Sequence, residues 1–113
     1  MSQHPLPETV TQAMKALLTH PATLTHDLRK RIEAYAAKRS GGERDDQAIP
    51  EELIGYVNKI IFHAYQITDE DIQSLKDTGY TEDNIFEITL CASMGASLGR
   101  YESGMRVVKD CAL

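Results

Sequence analysis

Apolar side chains recur along this chain at intervals of three and four residues, and no stretch alternates with a period of two. Val10, Met14, Leu17 and Leu18 fall at i, i+4, i+7 and i+8, one face of a short helix. His20-Pro21 ends it, because the residue before a proline avoids the helical region. Leu28, Ile32, Tyr35 and Ala36 repeat the pattern, with Thr25 as N-cap and Asp27 against the positive end of the helix dipole. Gly41-Gly42 closes that helix by supplying positive φ. The polar stretch 40–50, SGGERDDQAIP, reads as an exposed loop. A third helix begins near Pro50 or Glu51, with Leu53, Val57, Ile60 and Ala64 as its main stripe and Ile54 and Ile61 beside it. Thr68-Asp69-Glu70-Asp71 marks a capped start. The short helix behind it turns Ile72 and Leu75 inward and stops at Gly79. Thr81-Glu82-Asp83 repeats the start signal for a long last helix, from about Glu82 to about Lys109, with Ile85, Ile88, Ala92, Ala96, Tyr101 and Met105 on its apolar face. The expectation is an all-α single domain over 1–113, a compact bundle of about five helices: N-terminal helices and the polar loop over 1–50, a helical core over 51–109.

The last helix has an unusual composition. Cys91 to Gly99 is a run of small residues, and Gly95, Gly99 and Ser103 stand four apart on one face. Glycine inside a helix costs about 0.5–1 kcal/mol relative to alanine. Close approach of another backbone, from this chain or a second subunit, offsets that cost; the competing reading is a helix bent at Gly95 or Gly99.

Composition narrows the function. The formal net charge is −5, and the single basic cluster, Arg29-Lys30-Arg31, lies between Asp27 and Glu33, which reads as a solvated helix face. No nucleic-acid partner is expected. The first residues show no basic stretch followed by an apolar one, and no apolar run reaches about 18 residues, so neither a secretory leader nor a membrane span is expected. Two cysteines do not make a disulfide framework, and a reducing cytoplasm is the expected setting. With no tryptophan and two phenylalanines the core rests on aliphatic residues, which favours added burial by homo-oligomer formation.

The block from Leu53 to Met105 resembles the C-terminal part of the alkylhydroperoxidase D-like, or carboxymuconolactone decarboxylase, family. The resemblance rests on Tyr56-Val57-Asn58-Lys59-Ile60, on Ile67 through Ile72, and on Leu75 through Glu87 with its helix-Gly-x-Thr-Glu-helix passage. Arg100 and Gly104 resemble the arginine and small residues of the family's closing helix. Leu24 through Ile32 is similar to the helix that leads toward the family's redox site. There the family's peroxidases carry a Cys-x-x-Cys pair and a histidine; this chain reads Gly41-Gly42-Glu43-Arg44-Asp45-Asp46. Disulfide cycling needs two thiols with Cα atoms within about 7 Å. On one continuous helix Cys91 and Cys111 would stand about 30 Å apart. Peroxidase turnover of the family type is therefore not expected.

Three residues remain as candidates for chemistry. His63, late in the third helix, is either a general base or a boundary histidine favoured by the helix dipole. Glu87 precedes Cys91 by one turn, where its charge raises a thiol pKa and suits a buried, inert cysteine. Arg100 either binds a carboxylate bidentately or ties the scaffold to a carbonyl. Tyr56, Tyr65 and Tyr101 line a cavity or belong to the core. His4, His20 and His26 lack metal-ligand spacing, and neither metal nor cofactor is expected. The family resemblance, together with these residues, implies two alternative functions. One is a catalytically silent, oligomeric binding or assembly module using the small-residue helix as its interface. The other is a small-molecule enzyme of decarboxylase or isomerase type, with His63, Glu87 and Arg100 framing a cavity for a small organic acid.

Overall fold

The computed structural model describes residues 24–111. Within them the chain forms α1 (His26–Arg39), α2 (Glu51–Phe62), a single 3-10 turn (Ala64–Gln66), α3 (Asp69–Thr78) and α4 (Glu82–Cys111), with no strand among the described residues. The helix expected around residues 10–18 lies outside them, as do His4 and His20, so four α-helices stand where about five were expected.

The helix ends follow from local chemistry. Thr25 Oγ1 accepts the Leu28 amide at 3.1 Å to start α1. Gly41 ends it at φ 95°, where the Gly41 amide bonds the Lys38 carbonyl at 3.3 Å and the Gly42 amide bonds Ala37 at 2.8 Å, the paired closure that a left-handed residue permits. Thr68 and Asp71 cap each other's backbone at the start of α3. Gly79, at φ 116°, closes that helix as Gly41 closes α1. Thr81 and Asn84 exchange side-chain-to-amide bonds of 2.9 and 3.0 Å ahead of α4.

Packing is dominated by α1 against α4, which run in the same direction: Glu87 reaches Leu24, Gly95 lies on Glu33 and Gly99 on Ala37. A Cβ at Gly95 would overlap the Glu33 carbonyl oxygen and stand 3.0 Å from the Ala36 Cβ; one at Gly99 would overlap the Ala37 carbonyl and stand 2.7 Å from the Ser40 Cβ. Ser103 continues the line against Gly41. The glycine face thus serves close approach within this chain, and α4 passes through it as one continuous 30-residue helix. The small-residue face is therefore filled from inside the chain and is not left as a subunit interface.

α2 completes the core with Leu53, Tyr56, Val57, Ile60 and Ile61, all buried. The structure corrects the expected stripe at two places. Ala64 is exposed, because His63 leaves helical geometry (φ −147°, ψ 51°) and α2 ends at Phe62. Ile54 faces outward at 36% exposure. The Thr89 hydroxyl donates to the Ile85 carbonyl at 2.7 Å, so the Tyr56 hydroxyl, 2.6 Å away, donates to Thr89; this joins α2 to α4. Tyr101 and Met105 are only half-buried, since the close seam on α4 ends near Ser103. No helix among the described residues is long and apolar enough to cross a membrane.

Candidate functional site

The three candidate residues do not meet. Arg100 donates from Nη2 to the Ile61 carbonyl, one of the last carbonyls of α2, which lack an intrahelical donor. That bond ties α4 to the end of α2. His63 follows two residues later, solvent-exposed, with its ring edge-on to Tyr65 at 6.1 Å. Glu87 lies about 20 Å along α4 from Arg100, where its Oε1 accepts the Leu24 amide at 2.9 Å. Arg100 and His63 thus share the exit of α2, and Glu87 belongs to the entrance of α1. Of the tyrosines offered as cavity or core, Tyr56 is core and Tyr65 is 82% exposed.

Cys91 is fully enclosed in α4, and Cys111 is exposed at the end of the same helix. With both on one continuous helix, twenty residues apart, the separation of about 30 Å holds. Burial pushes the Cys91 thiol up to about 11; Arg29 pulls it down, and Glu87 and Glu33 add to the rise. The thiolate, which is the reacting species in thiol chemistry, is therefore suppressed at neutral pH.

The densest charged constellation lies elsewhere, around residues 40–50. Arg44 donates from Nη2 to Glu33 Oε2 at 3.2 Å and from Nη1 to Glu102 Oε2 at 3.2 Å, so one guanidinium ties the loop to both α1 and α4. Partial burial opposes the Arg44 charge, but the Glu33 and Glu102 carboxylates together outweigh it and hold its pKa above the ordinary value. Glu102 also accepts the Glu43 amide at 3.1 Å. Arg39 pairs with Asp46 at 3.0 Å and lies over the Tyr35 ring at 3.5 Å, while the Tyr35 hydroxyl donates to Asn58 at 3.0 Å. Arg106 donates to the Gly41 carbonyl.

Two clefts flank this loop. One, of about 440 Å³, is lined by His26, Asp27, Lys30, Arg31, Glu33 and Arg44 among others; the second, of about 420 Å³, by Tyr35, Arg39, Asp46, Ile49 and Ile54, and Gln47 lines both. None of His63, Glu87 or Arg100 lines either. The sequence reading of Arg29 to Glu33 as a solvated face is corrected here: Arg29 and Glu33 are buried at 4% and 7% exposure, while Lys30 and Arg31 are exposed. The signal was available in the spacing. Positions 29, 33, 36 and 40 form a ridge beside Ile32, and Glu33, Ala36 and Ser40 of that ridge meet Gly95 and Gly99 of α4.

Comparison with known proteins identifies no relative: no family model, no curated protein and no solved structure matches this chain.

Proposed function

We propose that this chain is a non-redox protein of the alkylhydroperoxidase D-like or carboxymuconolactone decarboxylase kind, working as a homo-oligomeric binding or assembly module. The observation that carries the assembly part is the surface. Phe62 and Tyr65 at the exit of α2 are 53% and 82% exposed, Phe86 near the start of α4 is 64%, and Val107 and Val108 near its end are 59% and 54%. A chain with two phenylalanines has both of them more than half exposed. Exposed rings of this size suit a protein surface in which aromatic anchors carry the association energy. The non-redox part is supported by the enclosed thiol of Cys91 and its distance from Cys111.

Sedimentation equilibrium over a concentration series tests the reading. We expect a mass above the 12.6 kDa of one chain, falling toward that value in Phe86→Asp or Tyr65→Asp with helicity unchanged. A monomer throughout the series would overturn it. The charged cleft beside Arg44 supports a second reading, in which a small organic acid binds against Lys30 and Arg31; calorimetric titration with simple mono- and dicarboxylates separates the two.

A further inference from the structure

Residues 43–48 are held differently from the rest of the fold. The loop has two apolar anchors. Gly42 is buried at its start, where a Cβ would stand 3.1 Å from the Gly99 Cα and 2.9 Å from the Ala37 carbonyl, so only glycine lets the chain lie flat there. Ile49 is buried at its end, at 8% exposure. Between them no side chain is buried. Polar ties stand in: Arg44 to Glu33 and Glu102, the Glu43 amide to Glu102, Asp46 to Arg39, and Arg31 to the Ala48 carbonyl at 3.5 Å.

Arg44 and Gln47 of this stretch line one cleft, and Asp46, Gln47 and Ala48 the other, so Gln47 stands on the wall of each. The floor on both sides belongs to α1: Lys30, Glu33 and Ala34 on one, Tyr35 and Arg39 on the other. The dividing wall is thus a strap fixed at its ends by packing and along its length by charge.

We infer that residues 43–48 are a charge-latched strap that lifts off α1 as a unit between Gly42 and Ile49, joining the two clefts into one groove along the helix. The latch is Arg44, whose guanidinium binds Glu33 of α1 and Glu102 of α4. Lifting breaks ion pairs and polar bonds but withdraws no buried side chain of the strap itself, so the motion costs far less than opening a helix. The Arg39–Asp46 pair is exposed on its Asp46 side and the Arg44–Glu102 pair is about a quarter exposed on each partner, so these ties are weakened by salt. The Arg44–Glu33 tie, with Glu33 buried, is screened less; the open population is therefore sensitive to ionic strength through the first two. The core amides, which depend on burial, do not share that sensitivity.

Amide exchange read residue by residue by NMR on the full chain tests this. The Glu43 amide, bonded to Glu102, reports the strap; the Gly42 amide, bonded to Ala37 at 2.8 Å, reports the anchor. Raising NaCl from about 0.1 M to about 1 M shortens the Debye length from about 10 Å to about 3 Å. We expect Glu43 exchange to accelerate roughly five-fold, and by a similar factor in Arg44→Met at low salt, with Gly42 and the α2 amides unchanged. A cysteine placed on the cleft floor, Ala34→Cys in a Cys111→Ser background, should be alkylated faster under the same two conditions. Glu43 exchange indifferent to salt, or rising together with Gly42 and α2, would overturn the inference. Should Arg44→Met fail to fold, the salt series on the unaltered sequence decides.

Discussion

Replacing Gly95 by alanine adds one methyl group where α4 lies on the backbone of α1. The new Cβ would overlap the Glu33 carbonyl oxygen and stand 3.0 Å from both the Glu33 carbonyl carbon and the Ala36 Cβ. Two effects oppose each other. Alanine in a helix interior is worth about 0.8–1.0 kcal/mol over glycine. Relieving the overlap requires α1 and α4 to part by about 1 Å, a gap that forfeits between a quarter and a half of each contact's dispersion energy. Such overpacking costs about 1–3 kcal/mol, and the upper part of that range applies because Gly99 and Ala37 close the seam one turn further on. The net is a loss of about 2 kcal/mol. Gly104→Ala makes the same change on the same helix with nothing within 4 Å of the added atom, so the propensity gain stands alone, at about 0.5–1 kcal/mol. Urea unfolding followed by far-UV circular dichroism, at matched protein concentration, measures both. With m near 2 kcal/mol/M, Gly95→Ala should lower the midpoint by about 1 M and Gly104→Ala should raise it by a few tenths. Equal midpoints for the two variants would refute the seam.

Other expectations follow from single contacts. Native protein in mildly alkaline buffer should show one rapidly reacting thiol, Cys111, with Cys91 reacting only on unfolding; two fast thiols would contradict its enclosure. Asp71 is held below the ordinary carboxyl value of 3.8 by the Lys59 ammonium at 2.9 Å and the Thr68 amide. Its contribution is therefore complete above that value and lost as pH falls through the lower folded-state pKa; Asp71→Asn should be less stable than the parent at neutral pH and equal to it in strong acid, by urea midpoints. Thr25→Ala removes the cap of α1 and should cost about 1 kcal/mol in the same assay, whereas an unchanged midpoint would show the Leu28 amide to be satisfied by water.

Much of the fold was legible because its boundaries are written in residues with one physical use. Thr25, Gly41, Thr68, Gly79 and Thr81 each sit where the sequence placed them. The glycine run was legible as a demand for close packing, but the partner was not, since nothing in Gly95 or Gly99 says whether the neighbouring backbone is α1 or another subunit. Ala64 misled because a helix can end without glycine or proline when the last carbonyls find an outside donor, here Arg100. The candidate site was legible only as residue types. His63, Glu87 and Arg100 were chosen by type, and each satisfies a local need: an exposed helix terminus, a backbone amide at Leu24, a carbonyl at Ile61. Glu33 and Arg44, which organise the charged clefts, are eleven residues apart and hidden in stretches that looked solvated; only the fold brings them to 3.2 Å.

The account stands on Cys91 being a core atom and not a nucleophile. Hydroperoxide reduction measured with a dithiol reductant, for the native chain and for Cys91→Ser, tests this most directly. Both should run at the rate of the protein-free blank. Turnover by the native chain that disappears in Cys91→Ser would contradict it.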